Sequence, residues 1–243
     1  MTTKQKSFFK GALILTIAGV LGRMLGALYR IPFNRIVGEE GAALYGLSYS
    51  LYSLLFALST AGIPLAVSKM VAVYEERGEH GESVRLLKAA FMMLAAIGIV
   101  EALFVFTQAD WIARTVFNEP AAALSLRTLS FGLPFIALSS VLSGYFTACG
   151  RIWKPSLVHL LEQLICVGLV VFFLSRAPEG DIERSCAAVA RGVTASDMLS
   201  LCMMLAFYLG DRRRYAQRGG GSVRLTSRMF GVALPLAVSA YAR

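Results

Sequence analysis

GALILTIAGVLGRMLGALYRIPF, residues Gly11–Phe33, is a run of 23 residues in which only Arg23 and Arg30 carry charge. A helix rises about 1.5 Å per residue and the hydrocarbon core of a bilayer is about 30 Å thick, so a run of this length crosses a membrane once as a helix. Lys4, Lys6 and Lys10 precede it, as they would in a secretory signal. The run continues past Arg23 without a small-residue cleavage site, however, and is read as a retained helix. Working outward, five further runs of comparable length occupy 45–72, 86–107, 124–148, 155–175 and 187–209, and a seventh begins near 229. None shows the period-2 alternation of a membrane barrel strand. Backbone groups in lipid must bond within their own helix. The expectation is an all-α, polytopic membrane bundle of six complete transmembrane helices plus the start of a seventh.

Composition agrees. Of 243 residues, 56% are hydrophobic and 16% charged, with a mean hydropathy of +0.63. Soluble domains carry roughly 25% charge. The net charge of +9 arises from 24 Lys and Arg against 15 Asp and Glu. It is read as a topology signal and an attraction to anionic membrane lipids, not as a nucleic-acid interface. With the N-terminus in the cytoplasm, the inner segments hold Lys4, Lys6, Lys10, Arg77, Arg85, Lys88, Arg151, Lys154 and six arginines between Arg212 and Arg228. Arg114, Arg176 and Arg184 lie outside. Basic residues favour the cytoplasmic side, so this orientation in the plasma membrane is expected.

The chain divides into a six-helix lobe over 1–209, an Arg- and Gly-rich cytoplasmic linker over 210–228, and the first part of a seventh helix over 229–243. Gly11 opens an apolar run reaching Arg23, and Gly231 opens one reaching Arg243, 220 residues later. That repeat is the kind found in transporters built from duplicated halves. The chain is therefore expected to lack a C-terminal lobe, or to work with a partner that supplies one.

Cys149, Cys166, Cys186 and Cys202 lie in or beside apolar helices and read as small buried hydrophobes. His80 and His159 are isolated, so no metal site is expected. No nucleophile elbow, zinc-protease, Walker or aspartate-rich motif is present, and an enzyme is not expected.

Charges inside the spans carry the functional reading, because each costs about 2.5–3.5 kcal/mol at the bilayer centre on insertion scales. They are Arg23, Arg30, Glu101, Arg127, Glu162, Arg191 and Asp197. Arg127 and Arg191 sit near the outer boundary, where long side chains reach the headgroups. Arg23 is near mid-helix. Arg30 lies seven residues on, two turns less about 20°, so both project from one face roughly 10 Å apart. Guanidinium forks so placed suit an extended anion such as pyrophosphate; equally, Arg23 could pair with Asp197 or Glu101 and hold the bundle together. Glu162, next to Gln163, is open to a cationic partner (Arg23 or Lys69), a proton or Na⁺. Glu101 and Asp197 are candidates for coupling to Na⁺ or H⁺. Pro64 and Pro134 interrupt their helices and are candidate hinges.

GRMLGALYRIPF (Gly22–Phe33), the turn GEEGAALYG (Gly38–Gly46), GIPLAVSKMVA (Gly62–Ala72), Gly144-Tyr145-Phe146, Pro155-Ser156 and Glu162-Gln163 follow one another in this order. In that order they resemble the stage V sporulation protein B group of the polysaccharide biosynthesis protein family, which is similar to MurJ-like flippases of the MOP superfamily. The resemblance implies a two-lobed helical fold around a cationic cavity. It also implies movement of undecaprenyl-pyrophosphate-linked sugars, such as the lipid II precursor of peptidoglycan, across the membrane by alternating access without ATP. It places Arg23, Arg30, Glu162 and Gln163 as substrate-binding candidates, to which Arg127 is added as a charge within a span. Ser143 stands where the group usually has Arg, and Cys166 where it usually has a basic residue. A MATE-type cation-coupled drug exporter using Glu101, Glu162 or Asp197 and a partner-dependent half-transporter remain open on the residues alone.

Overall fold

The computed structural model describes residues 37–60, 62–178 and 180–215, together with Val20, Met24 and Asn34. Apart from Val20 and Met24, the expected first span (11–33) lies outside these residues, as do Arg23 and Arg30, residues 216–228 of the linker and the seventh-helix start. Every regular element among the described residues is helical. Helix α1 covers 37–60, α2 Ile63–Glu76, α3 His80–Trp111, α4 Ala122–Ser130, α5 Leu133–Ala148, α6 Trp153–Leu174 and α7 Ile182–Tyr215. A single wide π-helical turn, Ile112–Val116, ends α3.

Four stretches are long and apolar enough to cross a membrane: Val37–Glu76, His80–Val116, Trp153–Leu174 and Ile182–Asp211. A fifth crossing forms if α4 and α5, bent by 42° at their junction, count as one. These five correspond in order to the second to sixth expected spans, so the described residues support a membrane helical bundle of four or five crossings, and the first of the six expected spans falls outside them. The helices run longer than their apolar segments. α3 begins six residues before the expected boundary at 86 and α7 five before 187, because helix propensity continues into polar flanks that hydropathy excludes.

Two connections at one end are tight. Gly78 and Gly150 both take left-handed backbone, φ +73° and +71°, which a side chain would resist. Each turn is closed by a reverse bond, Glu79 N–H to the Tyr74 carbonyl at 2.9 Å and Arg151 N–H to the Phe146 carbonyl at 2.8 Å. Such short links force α2 and α3, and α5 and α6, to neighbour one another antiparallel.

The interior has two apolar bodies. One, toward the end holding the α1 start and the α6–α7 connection, gathers Tyr45, Val105, Leu126, Leu129, Val170 and Val189. The other, toward the Gly78 and Gly150 turns, gathers Val67, Leu94, Val141, Phe146, Val158 and Met204. α3, α5, α6 and α7 contribute to both, α1 and α4 to the first and α2 to the second, and the layer between the two bodies holds the candidate site.

Candidate functional site

Two chain breaks lie in the layer. The chain bends at Gly62, between α1 and α2, and Pro64 stands in the first turn of α2. The α4–α5 helix breaks at Phe131–Gly132, and Pro134 stands in the first turn of α5. Proline belongs there, since first-turn amides have no intrahelical acceptor to lose. Both expected hinge residues thus sit at helix starts beside a break.

Asp197, on α7, is 4% exposed and its Oδ2 accepts a 2.6 Å hydrogen bond from the Tyr52 hydroxyl of α1, itself 5% exposed. Glu162, on α6, accepts from the Ser200 hydroxyl of α7 at 2.7 Å, and Ser200 is 3.4 Å from Ser139 of α5. Glu162 is close enough to act electrostatically on Asp197. Glu101, on α3, accepts from the Ser59 hydroxyl at the end of α1. Glu162 and Asp197 thus lie near one another on α6 and α7, and Glu101 faces the end of α1. Among the described residues each of the three accepts from a neutral hydroxyl, and Glu162 also feels His159, three residues before it on α6. A buried carboxylate without a cation is costly in a low-dielectric interior. Such a group is best satisfied by gaining a proton or binding a small cation, the chemistry of a coupling site.

The other expected residues are distributed around this layer. Gln163 is partly buried on α6 beside Glu162, and Lys69 is exposed rather than set against it. Arg127 pairs with Asp110 of α3 and lies 6.0 Å above the Phe106 ring, with both charged side chains substantially exposed. Arg191 is exposed on α7. Among the described residues, no three His, Cys, Asp or Glu side chains are arranged to hold a metal ion.

Sequence reasoning missed Tyr52, Ser59, Ser200 and Asp110. The signal for Tyr52 was present: Tyr45, Tyr49 and Tyr52 fall at i, i+4 and i+7, and their ring centres follow one another at 5.8 and 5.9 Å, the first pair stacked and the second tilted. Ser200 stands three residues beyond Asp197, on the same helix face. Asp110 lies three residues outside the expected span ending at 107 and so was not weighed as a partner. A second polar group closes the end with the glycine turns. Lys154, 6% exposed, reaches Asp211 of α7 at 2.6 Å, and Arg151 pairs with the same carboxylate. The Lys154 ammonium also lies 5.0, 5.7 and 5.3 Å from the ring centres of Phe146, Trp153 and Phe207.

This bundle has the fold of solved transporters described as belonging to the MOP superfamily. A structure described as an outward-facing multidrug resistance MATE family transporter of that superfamily superposes with a TM-score of 0.77, at 17% identity, over 96% of this chain and 53% of its own. A MOP superfamily transporter from Pyrococcus furiosus, described as having a binding pocket of reverse polarity, gives 0.76 at 16% identity, with the same coverage. By sequence, the chain belongs to the polysaccharide biosynthesis protein family, whose pattern matches residues 8–242. Its relatives include stage V sporulation protein B of Bacillus subtilis, 28% identical over 95% of this chain and 46% of that protein. The lipid II flippase MurJ of the same organism is 27% identical over 68% of this chain and 31% of its own length. The chain thus spans less than half the length of these curated relatives.

Proposed function

We propose that the chain forms one lobe of a flippase for lipid-linked oligosaccharides of the undecaprenyl-pyrophosphate type, serving cell-wall or spore-cortex synthesis. The observation that carries this reading is the family membership over 8–242, joined to a relative named as a lipid II flippase. In this reading Arg23 and Arg30 hold the pyrophosphate, with Arg127, Glu162 and Gln163 contributing to the substrate path. Asp197 and Glu101 couple the cycle to H⁺ or Na⁺. The N-terminus and the two glycine turns face the cytoplasm, and a second lobe completes the cavity.

The test is rescue of cells depleted of their own lipid II flippase by the chain supplied together with a second lobe. Growth is expected with the native sequence and lost with Arg23→Ala plus Arg30→Ala. Undiminished rescue by that double variant would remove the anion-cradle role. A second reading, a MATE-type cation-coupled exporter, draws on the carboxylate layer and on the MATE fold likeness. It predicts drug resistance without rescue, the reverse result in the same cells.

A further inference from the structure

The glycines of the middle layer show how its parts are joined. A Cβ added to Gly132, at the α4–α5 break, would lie 2.8 Å from Asp197 Oδ2 and 3.1 Å from the Tyr52 hydroxyl. The break therefore rests directly on the carboxyl group and its donor. Two residues on, Pro134 opens α5 against α3: a Cβ on Gly98 would meet the Pro134 Cα at 2.8 Å. Farther along α5, a Cβ on Gly144 would meet the Pro64 carbonyl at 2.6 Å, where α2 begins. One turn after Gly98, Glu101 binds Ser59, the last part of α1 before the other break.

These contacts close a ring. Asp197 touches the first break. α5 begins on Gly98 and carries, at Gly144, the seat of the helix that starts the second break. α3 holds α5 through Gly98 and α1 through Glu101. Backbone packed this closely is not continuously deformable, so α5 cannot tilt at its start without displacing Pro64 at its other seat.

We propose that the two helix breaks are one mechanical unit: the α4–α5 and α1–α2 bends change together, and the state of the Asp197 carboxyl sets both. The Asp197 input rests on the coupling role given to that residue above; the joint movement rests on the glycine and proline contacts alone. Neutralising or occupying Asp197 loosens its hold at Gly132. α5 then pivots on Gly98, and Gly144 carries the displacement to Pro64. Coupling of this kind is reciprocal, so a disturbance at Pro64 must also be felt at Gly132.

Pulsed electron-spin distance measurements on the chain in lipid bilayers test this, with its four native cysteines replaced by serine. One label pair, at Leu124 and Thr147, spans the first break; another, at Leu54 and Val73, spans the second. All four positions are exposed. Asp197→Asn, which mimics the neutral carboxyl, is expected to shift both distance distributions, and so is Gly144→Ala, which acts at the opposite seat. If each variant moves only the pair beside it, or if Asp197→Asn moves neither, the proposal is overturned. Should Asp197→Asn fold poorly, Tyr52→Phe removes the same hydrogen bond without adding bulk; it too must move both pairs, and a shift of one or none overturns the idea. Joint shifts with undiminished rescue of flippase-depleted cells would retain the mechanical unit while removing the coupling role of Asp197.

Discussion

At the scale of single residues, the most informative contrast is between two charged groups that look alike in the sequence. Arg127 and Asp197 both interrupt apolar helices. Arg127 found a neighbour, Asp110, at a half-exposed site, where an ion pair contributes less than about 1 kcal/mol. Arg127→Gln is accordingly expected to leave detergent-solubilised melting almost unchanged. A loss of several degrees would show that the pair carries structural weight. Asp197 is enclosed, and periodicity alone could not show that its donor would be Tyr52, 145 residues away in the chain. That Glu101, Glu162 and Asp197 stand within long apolar helices was legible, because hydropathy fixes position along each helix. Their partners were not, because the rotation of one helix against another depends on close contacts such as those at Gly98 and Gly144. A further residue-level expectation concerns Cys149, at the end of α5. Burial, and then the charge of Glu75, push its thiol up from 9.0 to about 11. A group raised by two units has roughly 100-fold less thiolate at neutral pH. A variant keeping Cys149 alone should therefore react slowly with a polar maleimide near neutrality and accelerate until the pH passes about 11. Fast labelling near neutrality would contradict the burial.

At the scale of elements, the prolines were read as hinges from their type and position, and both proved to be helix starts. The glycines opposite them were the missing half of that reading. Gly98→Ala forces a Cβ toward backbone rather than toward a movable side-chain end, and overpacking of this kind costs about 1–3 kcal/mol. Denaturation in mixed micelles should show that loss, whereas Gly168→Ala, whose added Cβ meets nothing within 4 Å, should be neutral or stabilising. The tie between α6 and α7 gives a second test. Lys154 entered the sequence reading only as a topology charge, yet it is buried among three rings and neutralised by Asp211. Asp211→Asn removes the carboxylate and leaves the ammonium enclosed, a change costing on the order of 3 kcal/mol. Lys154→Met in the same chain should recover most of that loss, because a thioether fits an aromatic pocket without needing a counter-charge. An additive double variant would show that the pair and the cage act independently.

At the scale of the whole molecule, orientation depends on which end presents its basic residues to the cytoplasm. The end with the glycine turns holds Arg77, Arg85, Lys88, Arg151 and Lys154, while the opposite connections hold Arg35, Arg114, Arg176 and Arg184. The structure neutralises part of the first group: Arg85 pairs with Glu82, and Arg151 and Lys154 share Asp211. Topology responds to Lys and Arg near helix ends during insertion, before such pairs have formed, and acidic neighbours count for little. The pairing therefore leaves the expected direction unchanged. Glu79, in the turn between α2 and α3, and Glu119, between the π-helical turn and α4, are both exposed and lie at opposite ends of α3. Placed one at a time in a chain without other thiols, Glu119→Cys should react with an impermeant thiol reagent on intact cells. Glu79→Cys should react only after permeabilisation. The reverse pattern would invert the bundle, leave the carboxylate layer at the same depth, and require any coupling ion to enter it from the other side.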